Sequence, residues 1–159
     1  VPMDVPGAFL DVWAVNTLTG GSTRYEDYPF ESIANIGGYL VGVGPGGVYE
    51  LDGDTDDGVA IAARIDYGLK NFGTDNLKRL EQMYLGIKCD GQMYVKVTAE
   101  GASYTYPLRD FSEHLQIQRV TPGKGMRANY FGFEVGNTAG SDFELSSIST
   151  LVAETARRI

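Results

Sequence analysis

The clearest pattern in the chain is strict alternation over residues 92–100. Met93, Val95, Val97 and Ala99 take one side, and Tyr94, Lys96, Thr98 and Glu100 the other. That is the period of a strand with one buried and one wet face. Residues 115–120 alternate in the same way. So do residues 127–135, where Phe131, Phe133 and Val135 share a side. Residues 77–88 place Leu80, Met83, Leu85 and Ile87 at apolar positions. Leu77, Leu80 and Tyr84 also fit a helical spacing, but the segment runs on through Leu85-Gly86-Ile87 into a turn, so a strand is expected. Further strands are predicted over 59–67 and 102–108, and a final strand or strand pair over 143–155.

Turn chemistry supplies the punctuation. Asp90-Gly91 and Glu100-Gly101 bracket what reads as a three-stranded meander. Thr121-Pro122-Gly123-Lys124-Gly125 is another turn, and residues 137–141 a loop. Upstream, strands over 9–15 and 22–28 flank the turn at residues 17–21 and form a hairpin resembling part of a propeller blade. Three short strands follow, over 32–36, 39–43 and 48–51, separated by Gly37-Gly38 and by Gly44-Pro45-Gly46-Gly47. Residues 1–7, with two prolines and a glycine, read as an arm.

These elements predict an all-β chain in two parts. Residues 1–57 form a hairpin-rich segment, whose thin set of strands suggests that it completes a structure begun upstream. Residues 58–159 form an antiparallel β-sandwich of jelly-roll type, with strands at the spacing such a fold needs. The acidic run from Asp52 to Asp57 is the expected hinge between them.

Composition agrees. The chain has 159 residues, 43% of them hydrophobic, enough for a core without disulfides. Its 21 glycines and 10 tyrosines suit short strands and tight turns. A net charge of −8 disfavours nucleic acid and anionic lipid as partners. No apolar run reaches the roughly 20 residues of a membrane-spanning helix. Cys89 stands alone, so no disulfide forms within the chain.

Candidate chemistry is sparse. Asp52, Asp54 and Asp56 alternate as the first ligands of a calcium loop do. Position six of that loop is Asp57 where Gly is needed, and position twelve is Ala63 where Glu is needed. A solvated connector without a cofactor is therefore the expectation. Residues 42–47 are glycine-rich like a phosphate loop, but neither Lys-Ser/Thr nor a helix follows, so they read as a hairpin turn. His114, the single histidine, stands beside Glu113 and near Asp110 with no Ser or Cys nucleophile motif. No catalytic residue is assigned. The aromatics Tyr94, Tyr104, Tyr106, Tyr130, Phe131 and Phe133 divide between core packing and a surface suited to interfaces or sugars.

The order of motifs resembles large bacteriophage tail-associated virion proteins. The resemblance covers about residue 15 to residue 159. It rests on "VNTLTGGSTRYEDYPFESIANIGGYLVGVGPGGVYELDGDTDDG", on "ARIDYGLKNFGTDNLKRLEQMYLGIKCDG" and on the ending "MRANYFGFEVGNTAGSDFELSSISTLVAETARRI". It implies a non-enzymatic virion protein of the tail, tail tip or baseplate, assembled in the bacterial cytoplasm. Its implied partners are other tail proteins and copies of itself, and it carries over no functional residues. A glycan-binding module of a tail fibre is the second expectation, and a hydrolase built on His114 the third.

Overall fold

A computed structural model describes residues 12–26, 28–53, 55–56, 58–109, 111–123 and 125–155. Every element among them is a strand, in antiparallel sheets. The chain divides into two compact units, Val1–Gly53 and Asp54–Ile159, and the division falls inside the acidic loop.

The N-terminal unit holds a hairpin and a three-stranded sheet. In the hairpin, β1 (Val12–Val15) pairs with β2 (Ser22–Tyr25). Its loop is closed by Asn16, whose Oδ1 accepts from the main-chain N of Leu18 and Thr19. The sheet runs β3 (Ser32–Ile36), β4 (Tyr39–Gly44), β5 (Gly47–Glu50). Cross-strand partners share a face. One face carries Ile33, Gly42 and Tyr49 in a row. Phe30 lies over Gly42, where a Cβ would stand 2.8 Å from its ring. That ring continues a ladder from Tyr28 to Phe30 (4.7 Å) and from Phe30 to Tyr49 (5.4 Å). The other face carries Ser32–Val43–Val48, Ala34–Val41–Glu50 and Ile36–Tyr39. It has no such cover: Val48 is 71% exposed, and Ile36 and Tyr39 are each 62% exposed. Gly42 is the only buried residue among those described in this unit.

The C-terminal unit opens with a two-residue-strand hairpin, β6 (Thr55–Asp56) and β7 (Val59–Ala60). The remaining strands are β8 (Arg64–Lys70), β9 (Lys78–Cys89), β10 (Met93–Ala99), β11 (Ala102–Pro107), β12 (Ser112–Val120), β13 (Arg127–Ala128), β14 (Phe131–Asn137) and β15 (Phe143–Glu154). They form two sheets. One runs β11-β10-β14-β8; in the other, β9 has β12 and β13 along one edge and β15 along the opposite edge. Leu80, Met83, Leu85 and Ile87 from β9 share one core with Val95 and Val97 from β10 and with Phe131, Phe133 and Val135 from β14. The unit is thus an antiparallel β-sandwich, as the alternation predicts.

Three expectations need correction. The segment 77–108 is not a three-stranded meander: β10 and β11 pair as expected, but β9 and β10 do not. Asp90-Gly91 carries the chain from one sheet to the other, which lets the two apolar faces meet across the core. The strand expected over 59–67 is split by residues 61–63. There the side chain of Asn137 replaces the ladder: its Oδ1 accepts from Ala63 N at 2.8 Å, and its Nδ2 donates to Ile61 O at 3.0 Å. The strand expected over 127–135 breaks at Asn129 and Tyr130, where the chain also changes sheet. Asn129 O accepts from the buried Lys78 ammonium, and Tyr130 Oη donates to Asp75.

Candidate functional site

The outer face of the four-stranded sheet carries the most ordered polar arrangement. Its middle strands, β10 and β14, pair in full register, so Lys96 stands opposite Glu134, Thr98 opposite Gly132 and Tyr94 opposite Gly136. Phe131, Phe133 and Val135 point inward, which leaves Gly132, Glu134 and Gly136 pointing outward. On the far side, β8 sets Asp66 opposite Glu134 and Leu69 opposite Gly132. Between those pairs one residue of β14, Phe133, faces two of β8, Tyr67 and Gly68, which is a β-bulge. Gly68 takes a φ of +62°, which glycine adopts without strain, and its N donates to Asp66 Oδ1 at 2.8 Å. The bulge keeps both Asp66 and Leu69 on the outer face while Tyr67 packs against the core.

A concavity of about 230 Å³ lies at Gly132, with Lys96, Glu134, Asp66, Thr98 and Leu69 around it. Glu134 is held from two directions. Tyr94 Oη donates to its Oε1 at 2.9 Å, and Lys96 Nζ donates to its Oε2 at 3.2 Å. The Glu134 side chain is only 17% exposed. The pKa of Tyr94 is raised, first by partial burial and then by the hydrogen bond to Glu134. Thr98 and Ser103 hydroxyls lie 2.8 Å apart at the β11 side. Carboxylate, ammonium and hydroxyl groups thus stand around an open floor.

Asp52 Oδ1 accepts from Gly53 N and closes a local turn, while Asp56 belongs to the small β6–β7 hairpin. Asp54 and Asp110 lie outside the described residues. Among the described residues, no three His, Cys, Asp or Glu side chains come together as metal ligands would. Glu113 and His114 are exposed on β12, and Cys89 is buried in the core. The glycine-rich stretch at 42–47 ends β4, turns at residues 45–46 and opens β5. Of the six aromatics, Phe131 and Phe133 are core and Tyr106 packs against it. Tyr104 and Tyr130 are exposed, and Tyr94 belongs to the concave face. The floor glycines escaped the sequence reading, although their signal was present: in Gly132-Phe133-Glu134-Val135-Gly136 every second residue is apolar and large, and two of the three outward positions lack a side chain. No family model, curated protein or solved structure matches the chain.

Proposed function

We propose that the chain is a non-enzymatic structural component of a bacteriophage tail, tail tip or baseplate, working by packing against neighbouring virion proteins and copies of itself. The observation that carries this reading is the open face of the β3–β5 sheet. Val43, Val48, Ile36 and Tyr39 lie there on one side of a small sheet and stay in water. Covering apolar surface yields about 25 cal/mol per Å², and contiguous exposed patches mark association surfaces. The resemblance to tail-associated proteins points the same way.

A second feature supports assembly. Among the described residues, strand β15 pairs with β9 along one edge and with no strand along the other. It is 12 residues long, contains no proline, and carries charge only at Glu144 and Glu154. Soluble proteins normally blunt such edges with charges or prolines. The register of β15 on β9 shifts twice, after Leu145 and after Leu151, yet no lysine or proline guards the strand, and an edge of this length suits pairing with a strand from another chain.

The test is incorporation into particles. Purified phage particles should contain the chain in fixed proportion to other tail proteins. The double variant Ile36→Lys/Val48→Lys changes only exposed side chains; it should fold yet stay out of particles. Absence of the wild-type chain from particles, or full incorporation of the variant, would overturn the reading.

A further inference from the structure

We infer that the concavity over Gly132 is a binding site for a single sugar unit, a neutral hexose-type residue at the end of or within a longer glycan. The inference concerns the C-terminal sandwich alone and stands or falls independently of the assembly role.

The first argument is the floor. Glycine in a central strand weakens a sheet and marks a place where something else approaches the backbone closely. Strand β14 lies between β10 and β8, yet two of its outward positions are glycine. At Gly136 the protein fills the space itself, because Tyr94 lies there: a Cβ would meet its Oη at 2.5 Å. At Gly132 nothing of the protein comes so near. The nearest atoms to a Cβ are Thr98 Cβ at 3.3 Å and Leu69 Cδ2 at 3.4 Å, the latter the end of a flexible side chain. A ligand reaches this strand through the concavity of about 230 Å³ that Gly132 lines, beside the end of the flexible Leu69 side chain.

The second argument is charge. Asp66 and Glu134 stand directly opposite one another, an arrangement that costs stability when two like charges face across strands. Lys96 stands on the other side of Glu134. An anionic ligand would meet both carboxylates and a chain of net charge −8. A cationic one would meet the Lys96 ammonium. A neutral polyhydroxylated ligand satisfies both signs: its hydroxyls donate to Asp66 and Glu134 and accept from Lys96. Glu134 is already fixed by Tyr94 and Lys96, so little ordering is lost on binding.

The third argument is size and shape. About 230 Å³ falls below the roughly 300–1,000 Å³ of sites for drug-sized molecules and suits one pyranose ring. Leu69, 66% exposed at the rim, offers an apolar surface to the C–H face of such a ring. The site is open, so the rest of a glycan can extend into solvent.

The experiment is saturation-transfer NMR on the full chain with the methyl glycosides of glucose, galactose, mannose, rhamnose and N-acetylglucosamine at millimolar concentration. At least one should show saturation transfer. Gly132→Ala places a methyl group on the floor while leaving the Lys96–Glu134 pair in place, and should weaken that binding at least tenfold. Lys96→Met should do the same. Ile117→Ser, on the other sheet, should leave it unchanged. The inference is overturned if none of the five glycosides binds the wild-type chain, if Gly132→Ala binds as well as wild type, or if inorganic phosphate competes for the site. Virion incorporation of Gly132→Ala should be normal, which separates failure here from failure of the assembly role.

Discussion

The phenol of Tyr94 occupies the space that a side chain at residue 136 would need. A Cβ on Gly136 would stand 2.5 Å from Tyr94 Oη and 2.6 Å from its Cζ. Gly136→Ala must therefore lift Tyr94 away and break its hydrogen bond to Glu134. The expected cost is about 1–3 kcal/mol, as for other overpacking changes. Gly132→Ala, with its nearest contact at 3.3 Å, should cost less than about 1 kcal/mol, since alanine also reduces the freedom of the unfolded chain. Urea unfolding of the two variants checks the contrast. Equal losses would mean that Tyr94 does not depend on the glycine beneath it.

Lys78 is 0% exposed, and its ammonium donates to three main-chain carbonyls: Thr74 O, Asn76 O at 2.7 Å and Asn129 O at 3.2 Å. It ties the loop before β9 to the point where the chain changes sheet between β13 and β14. Lys78→Met keeps most of the apolar stem and strips three part-buried acceptors of their donor. The expected loss is about 3 kcal/mol, with faster amide exchange at residues 125–130. Stability within about 0.5 kcal/mol of wild type would contradict this role.

The β10–β11 turn holds a small reserve of stability. Ala99 pairs with Ala102, and the two loop residues, Glu100 and Gly101, both have positive φ, at 50° and 82°. This is the geometry of a type I′ turn, which favours Asn-Gly. Glu100→Asn should raise stability by about 0.5–1 kcal/mol, seen as a higher midpoint in thermal or urea unfolding. A fall would mean that the Glu100 side chain has a partner worth more than the strain it bears.

Tyr94 also predicts a pH response. Its pKa is raised above 10.0, by burial first and by Glu134 second. Its contribution is fully present below pH about 10, where the unfolded chain also keeps the proton, and is lost as pH rises through the raised folded value. Between pH 9 and pH 11 the wild type should therefore lose more stability than Tyr94→Phe. The other tyrosines cancel in that comparison. Parallel loss in both proteins would show that the Tyr94–Glu134 hydrogen bond adds nothing.

Much of the sandwich was legible because its strands have one wet face. The alternation of Met93 to Ala99 appears unchanged in the burial of β10. Pairing was not legible. β9 and β10 carry similar apolar patterns, and the short turn at Asp90-Gly91 suits a hairpin as well as a crossing between sheets, so local sequence could not separate the two. Breaks at 61–63 and 129–130 depend on Asn137 and Lys78, whose partners lie up to 76 residues away. A buried lysine held by carbonyls has no periodic signature. The concave site was hidden for a related reason: it is defined by glycines, and the bulge at Gly68 that aims Asp66 and Leu69 outward emerges only from the register of β8 on β14.

We propose an assembly piece whose exposed β surfaces are covered in a phage tail. A cryo-EM map of the intact particle tests it most directly. The account predicts density for the chain in the tail, with Val43, Val48, Ile36 and Tyr39 covered by a neighbouring subunit. A particle without the chain, or one in which that face remains in solvent, would contradict it.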